Sequence, residues 1–158
     1  MESTEEKTKG RKRHIVVDTM GNLLAVAVHA ANIHDTKSGI LAARDAFEKY
    51  PSIQRFCADA GYRKSFEQDV SQELGLGVDI SARIKPEWEV FPKRWIVKRS
   101  LAWLNNSRRL SKDYEISVRS AQAVCIIAAF HTLLKRFYRA LIRLCFVRSK
   151  LIRRPSSV

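Results

Sequence analysis

Hydrophobic and polar positions alternate with two different periods along this chain. Near its start, the β-branched run 15–17 and the apolar run 23–30 flank a segment, 18–22, whose residues are typical of a tight turn. This pattern predicts a β-hairpin. Residues 1–8 before it are polar and charged, and they predict a disordered lead-in.

Beyond the hairpin, short strand-like runs alternate with longer stretches of helical period. Strands are predicted at 53–58 and 78–84. Asp35 and Thr36 offer an N-cap for the first helix, which Pro51 ends. The other predicted helices are Ser65–Leu74, about 94–109, and a last one that starts near Ser117 or Ser120 and contains the apolar run 121–134. The element order β-β-α-β-α-β-α-α predicts an α/β fold.

The charge balance of the chain is unusual. Its 158 residues are enough for one domain, and 46% of them are hydrophobic. Lys and Arg total 29 against 16 Asp and Glu, which gives a formal net charge of +13. This excess favours a polyanionic partner, with nucleic acid first and an anionic membrane surface second. The alternative is a solvated basic surface without a specific partner.

Most of the basic excess lies towards the end of the chain. No acidic residue follows Glu115, and Lys and Arg alternate with apolar residues from 135 to 154. This pattern predicts a basic amphipathic helix or an extended basic arm, with a basic tail at 138–158. The uncharged run 121–134 is shorter than the roughly 20 residues needed to cross a bilayer. The charged N-terminus lacks the apolar segment of a signal peptide.

The cysteine and histidine residues show no metal-binding pattern. The three cysteines are far apart and form no C-x-x-C pair, so the sequence does not support a zinc ribbon and favours reduced core residues in a cytosolic protein. The histidines lack ligand spacing and are expected in strands, turns or the core. These residues are Cys57, Cys125, Cys145, His14, His29, His34 and His131.

Asp59 is the strongest candidate for chemistry. It follows a short apolar strand and precedes Gly61 by two residues. A carboxylate at the carboxyl end of a strand faces the crevice where α/β sheets bind ligands. The local pattern alone leaves a second interpretation open, because Asp-x-Gly is also a common turn.

Four segments together resemble bacterial insertion-sequence transposases of the DDE type. Residues 9–30 are similar to the family's K-G-R-K-R-H-I-x-V-D-T-x-G-x-L hairpin, and 58–62 to its A-D-x-G-Y motif. Residues 94–104 resemble R-W-x-V-E-R-x-x-A-W-L, with Lys98 where the family has a metal-binding glutamate. Residues 105–115 resemble the stretch after that helix. The four motifs occur in the family's order, and the resemblance extends from Lys9 to about Phe137.

The resemblance implies a truncated RNase H-like mixed sheet flanked by helices, with the domain at 9–137. The family's first catalytic aspartate lies on a strand before the hairpin, and that strand is missing from this sequence. Asp18 does not replace it, because it lies in the hairpin turn. In the family, the aspartate equivalent to Asp59 bridges two Mg²⁺ ions.

The resemblance also implies that the metal centre of this chain is impaired. With Lys98 in place of the glutamate, Asp59 is the remaining catalytic and metal-binding carboxylate, so Mg²⁺ binding is doubtful. Lys98 would instead be able to pair with Asp59. Glu87 and Glu89, in the loop before the helix, are a weaker alternative source of ligands.

By resemblance the function is DNA transposition, with metal-dependent strand cleavage and transfer impaired in this copy. Expected partners are DNA and, in an oligomer, another copy of the chain or a full-length transposase, in the bacterial cytoplasm near the nucleoid. Two other functions stay open, a non-catalytic DNA-binding or inhibitory remnant and a membrane-surface protein acting through 135–154.

Trp88 is a candidate DNA contact, whereas Trp95 and Trp103 are expected in the core. The expected phosphate contacts are Lys9, Arg11, Lys12, Arg13, Arg94 and Arg99.

Overall fold

The computed structural model of the protein describes residues 10–63, 65–81 and 92–152. Several sequence predictions fall outside these residues: the lead-in 1–8, the phosphate contact of Lys9, the end of the strand 78–84, and the roles of Glu87, Trp88 and Glu89.

The predicted hairpin is confirmed. Strand β1 (Arg11–Val17) pairs antiparallel with β2 (Leu23–Ala30), from Arg11 opposite Ala30 to Val17 opposite Leu23. The turn is organised by the Asp18 carboxylate, which accepts hydrogen bonds from the backbone N–H groups of Met20 (2.9 Å) and Asn22 (2.8 Å). Asp18 is therefore a turn residue, as its sequence context predicts.

Helix α1 (Asp35–Lys49) begins one residue away from the predicted cap. The N-cap is His34, whose Nδ1 accepts a hydrogen bond from the Thr36 N–H at 3.4 Å, so the prediction that Asp35 or Thr36 caps this helix is wrong. The Asp35 carboxylate instead accepts from the Lys12 ammonium at 3.0 Å. This ion pair across to β1 takes Asp35 away from the capping position.

The second half of the sheet system is a parallel pair. Strand β3 (Arg55–Asp59) leads through a 3₁₀ turn (Ala60–Tyr62) and helix α2 (Ser65–Leu74) to strand β4 (Gly77–Ser81). β3 and β4 pair in register, from Arg55 opposite Gly77 to Asp59 opposite Ser81. Gly75 ends α2 with a φ of 65°, a left-handed conformation that favours glycine.

The fold is α/β, in agreement with a truncated RNase H-like domain. The described strands form two separate two-stranded sheets, one antiparallel and one parallel. Within the described residues no backbone ladder joins the two, so the expected mixed sheet is present as two halves. Packing of helices therefore has to hold the halves together.

Two helices follow the parallel pair. Helix α3 (Pro92–Asn105) ends four residues before the predicted boundary, and the chain continues as a 3₁₀ turn (Arg108–Leu110). Helix α4 (Val118–Ile152) is capped by Ser117, whose hydroxyl accepts from the Ser120 N–H at 3.0 Å, which confirms one of the two predicted starts. α4 passes position 138 without a break, so the basic segment is helical up to Ile152.

The core has two parts on opposite faces of the hairpin. On one face, Ala25 of β2 packs with Ala43 and Ala46 of α1 and with α2. On the other, Val26 and Val28 pack against α4 through a group of small residues. β2 is thus buried on both faces, and this explains its continuous rather than alternating apolar pattern. Cys125 is buried, but Cys57 is exposed, so the expectation of a core position is wrong for Cys57.

The outer face of α4 is exposed and apolar. Phe130, Leu134 and Phe137 lie on it at helical spacing and remain about half exposed or more. This surface is larger than the scattered apolar residues usual on a monomer. Within the described part of the chain, no helix is long and apolar enough to span a membrane.

Candidate functional site

Asp59 lies at the carboxyl end of β3, where the sequence places it. Its side chain caps the following 3₁₀ turn by accepting a hydrogen bond from the Ala60 N–H at 2.7 Å. The carboxylate is exposed at the end of the parallel pair. Both interpretations of Asp59 therefore hold at once, since the residue forms a turn and also presents a carboxylate at the strand end.

Lys98 lies on the exposed side of α3, which contacts both β1 and β3. The helix therefore runs beside the strand that carries Asp59. Among the described side chains, no ion pair or hydrogen bond links Lys98 to Asp59 within 4 Å. The pairing suggested by the sequence stays a prediction.

Arg99 anchors α3 on the hairpin. Its guanidinium lies 4.4 Å from the ring centre of Trp95 and 4.8 Å from that of Trp103, and donates to the Met20 carbonyl at 3.0 Å. Arg136 of α4 lies over the same Trp103 ring at 4.8 Å. Trp95 is 50% exposed, so its predicted core position is wrong, because one ring face is used for Arg99 and the residue lies at the helix surface.

A second contact fixes the same junction. The buried hydroxyl of Ser100 lies 2.9 Å from the Gly21 carbonyl and 3.0 Å from the Ile96 carbonyl. Gly21 has a φ of 84°, and a Cβ there would lie 2.8 Å from the Ser100 hydroxyl oxygen. The close approach of α3 to the hairpin turn therefore requires glycine at this position.

The basic residues of β1 make contacts inside the molecule. Arg11 donates to the Asp113 carboxylate (3.1 Å) and to the carbonyls of Glu115 (2.6 Å) and Ile116 (2.7 Å). Arg13 donates to the Leu110 carbonyl at 3.1 Å, and Lys12 pairs with Asp35. Arg11 and Arg13 thus hold the segment before α4 against the hairpin, a role that the sequence did not reveal because their acceptors are about 100 positions away.

Arg94 belongs to α3, but its side chain lies outside the described residues. Whether Arg94 and the other predicted basic residues contact DNA stays a prediction. Of these, Arg11, Lys12, Arg13 and Arg99 have partners within the protein that DNA would have to share or displace.

One buried polar cluster was not identified as a unit from the sequence. His14 of β1 is hydrogen-bonded both to His29 of β2 and to the partly buried Tyr62 of the 3₁₀ turn. Burial, followed by the nearby His29, lowers the pKa of His14. Burial also raises the pKa of Tyr62 to about 12. The two histidines are in strands, as expected. Their positions on the two strands of one apolar hairpin were the sequence signal that could have indicated a contact between them.

Comparison with known proteins identifies the family of this chain. The Transposase DDE domain family model matches residues 2–133. The chain belongs to this family. It is 29% identical over 121 residues to a putative transposase for insertion sequence element IS402 from Burkholderia cepacia, covering 71% of this chain. The chain spans 57% of the length of that relative. No solved structure gives a significant match.

The DDE transposase family is generally dependent on divalent metal ions and implies DNA as the substrate. Within the part of the chain that the structure describes, the residues do not fit such a metal well. Among the described residues, no group of three His, Cys, Asp or Glu side chains could hold an ion. Asp59 offers a carboxylate, but the position resembling the family's glutamate carries the Lys98 ammonium. Hard divalent cations need several oxygen ligands and are repelled by a nearby cation.

Proposed function

We propose that this protein is an insertion-sequence DDE transposase derivative that binds DNA but is impaired in Mg²⁺-dependent strand cleavage and transfer. The observation that carries the proposal is Lys98. It lies on the helix beside the Asp59 strand, at the position where the resemblance places a metal-binding carboxylate.

This substitution reverses the sign of the charge at position 98. Replacing a carboxylate by an ammonium changes the local charge by two units and removes two oxygen ligands. Two-metal catalysis relies on carboxylates that hold both ions while the attacking and leaving oxygens are stabilised. The Asp59 carboxylate, next to a helix that carries this ammonium, offers too few oxygen ligands for two ions, and without them the family reaction would lose its Lewis acid.

The DNA-binding part of the proposal rests on charge. The net charge of +13 persists whether or not catalysis does. The described part of α4 beyond Val118 carries basic residues and no acidic ones. Phosphate contacts from such a surface give affinity without sequence specificity. A location at the bacterial nucleoid would follow from this partner.

Divalent-ion binding tests the catalytic part. In the protein labelled with ¹⁵N, we expect Mn²⁺ to leave the amide signals of Asp59, Ala60 and Gly61 unbroadened. Lys98→Glu should broaden them, because it restores a second carboxylate beside the first. Lys135→Glu, the same charge change on exposed α4, is the matched control and should not. Mg²⁺-dependent cleavage of a transposon end by the unmodified chain would overturn the proposal.

A second candidate function is an inhibitory remnant that acts by mixed assembly with a full-length transposase. The observation that favours it is the exposed apolar face of α4, which offers a surface to another polypeptide. The test is the transposition frequency of an intact related element when this chain is co-expressed. A decrease that Phe130→Asp and Phe137→Asp together abolish supports the candidate, and an unchanged frequency refutes it.

A further inference from the structure

Two buried histidines and the partly buried Tyr62 form a continuous series of hydrogen bonds. His14 and His29 are 7% and 9% exposed, and their Nε2 atoms lie 2.5 Å apart. The other ring nitrogen of His14, Nδ1, is hydrogen-bonded to the Tyr62 hydroxyl. The Nδ1 of His29 lies 2.8 Å from the Ala30 carbonyl oxygen. The chain therefore runs from a backbone carbonyl of β2, through β1, to the turn after β3.

For two neutral histidines, donor and acceptor chemistry assigns every proton in these hydrogen bonds. A carbonyl can only accept, so His29 Nδ1 carries a proton and donates to Ala30. In neutral His29 the Nε2 atom is then an acceptor, and His14 Nε2 must donate to it. In neutral His14 the Nδ1 atom is then an acceptor, and the Tyr62 hydroxyl must donate to it. The two histidines thus hold opposite tautomers, with the proton on Nδ1 in His29 and on Nε2 in His14.

Tyr62 is held from three sides. Its ring meets Phe66 of α2 edge-on, with ring centres 5.2 Å apart, and meets His14 edge-on at 5.8 Å. Its third neighbour is Gly39 of α1, where a Cβ would lie 2.6 Å from the Tyr62 ring. Packing fixes the ring plane, and the bond to His14 fixes the hydroxyl. The residue that ends the 3₁₀ turn therefore has one defined position.

The same 3₁₀ turn begins at Asp59. The Asp59 carboxylate caps the turn by accepting from Ala60, and Tyr62 closes it three residues later. Because no described backbone ladder joins the two sheets, the bond from His14 to Tyr62 is a polar link that crosses from the hairpin to the β3 turn. A shift of Tyr62 would move both ends of this short turn.

We propose that His14 and His29 are positioning residues which, through Tyr62, fix the turn that presents Asp59 at the end of β3. The importance of Asp59 rests on the proposed function, but the coupling does not, since it concerns the geometry of the turn alone. His14 and His29 touch no substrate in this account and act through Tyr62.

Protonation of His14 breaks this arrangement of donors and acceptors. A proton added to its Nδ1 would meet the proton of the Tyr62 hydroxyl, so the hydroxyl would have to turn and would lose its acceptor. The charged or titratable groups around His14 are Lys12 on β1, His29 on β2, Asp35 on α1 and Tyr62 on the turn. Burial, His29 and Lys12 oppose protonation of His14, whereas Asp35 favours it.

The tautomers give the first test, on the unmodified protein at neutral pH. Long-range ¹H–¹⁵N correlation spectra of the imidazole rings should show His14 protonated on Nε2 and His29 protonated on Nδ1. His34 and His131, which take no part in this series of hydrogen bonds, serve as internal references. A His29 ring protonated on Nε2, or a rapidly averaging mixture at either histidine, would overturn the proposal. DNA is absent from this experiment, so its result is independent of the proposed function.

Removal of the hydroxyl gives the second test. Tyr62→Phe keeps the ring packing but cuts the bond to His14, and we expect the amides of residues 60–63 to exchange with solvent about fivefold faster. Tyr138→Phe, on an exposed tyrosine of α4, should leave these amides unchanged. Unchanged exchange in a folded Tyr62→Phe protein would contradict the positioning role.

A pH profile separates positioning from simple packing. As the pH is lowered, the Gly61 amide chemical shift should change with the same midpoint as the His14 ring signals. In Tyr62→Phe the His14 signals should still titrate while the Gly61 response is lost. If Gly61 responds equally in both proteins, the link through Tyr62 is refuted. His14→Gln, which can accept from Tyr62 through its amide oxygen, should preserve slow exchange of the turn and lose the response to pH.

Discussion

Gly39 provides the sharpest test of how the two halves of the fold meet. It lies inside α1, where replacement of glycine by alanine ordinarily stabilises a helix by about 1 kcal/mol. Here the added Cβ would lie 2.6 Å and 3.1 Å from two carbons of the Tyr62 ring and 3.2 Å from Phe66. The ring cannot turn away, because His14 and Phe66 hold it. Overpacking of this kind costs about 1–3 kcal/mol.

The two effects have opposite signs, and the clash should win. We expect Gly39→Ala to lower the free energy of unfolding by about 1 kcal/mol, measured by urea denaturation with an unchanged m-value. Gly61→Ala is the control, because a Cβ at Gly61 meets nothing within 4 Å. A Tyr62→Ala background removes the clash with the ring and leaves only the 3.2 Å contact with Phe66, so Gly39→Ala should no longer be destabilising there. A Gly39→Ala protein more stable than the original chain would refute this packing of α1 on the Asp59 turn.

Three further predictions concern the hairpin and its partners. Gly21→Ala should lower the free energy of unfolding by roughly 2 kcal/mol in urea denaturation, because φ is positive and the Cβ meets the Ser100 hydroxyl; an effect below about 0.5 kcal/mol would contradict the α3 contact. Arg11→Lys should speed amide exchange in residues 111–117, because an ammonium cannot make the forked contacts to Asp113 and the two carbonyls; exchange equal to that of Lys112→Arg, an exposed control, would argue against it. Because the pKa of His14 is lowered from 6.5, the unfolded chain binds more protons than the folded one below that pH, so stability should fall as the pH drops through 6.5. Denaturant titrations across this range should show that His14→Gln weakens the dependence, and an identical slope in both proteins would contradict the burial of a neutral His14.

Local patterns predicted the elements of this fold well where the signal is local. The turn residues around Asp18 and Gly21 predict the hairpin, and the Ser117 hydroxyl predicts the start of α4. Gly75 likewise ends α2, in a left-handed conformation that favours glycine. Each of these depends on residues within about four positions.

Contacts between distant parts of the chain were not predictable from the same patterns. The first helix is capped by His34, while the carboxylate of Asp35 forms an ion pair with Lys12 on strand β1. Trp95 shares helical spacing with Trp103, but it lies at the helix surface, where its ring and that of Trp103 both contact the Arg99 guanidinium. Cys57 alternates towards solvent on β3 although its neighbours are apolar.

The candidate site divides in the same way. Asp59 at the end of its strand and Lys98 on its helix follow from motif spacing and the resemblance to DDE transposases. The chain from His29 to Tyr62 depends on three elements meeting in space, and no sequence spacing reports that meeting. The basic residues of β1 looked like phosphate contacts, whereas the structure gives Arg11 and Arg13 internal acceptors near residues 110–116.

We propose that this chain binds DNA through its basic surface, independently of catalysis. The most direct measurement is the fluorescence anisotropy of labelled random duplex DNA, titrated with the folded protein at increasing salt and without divalent ions. The account predicts binding at low salt that weakens steeply, with a log–log slope of about −4 or steeper for five or so phosphate contacts. A folded protein that does not bind DNA at low salt would contradict it.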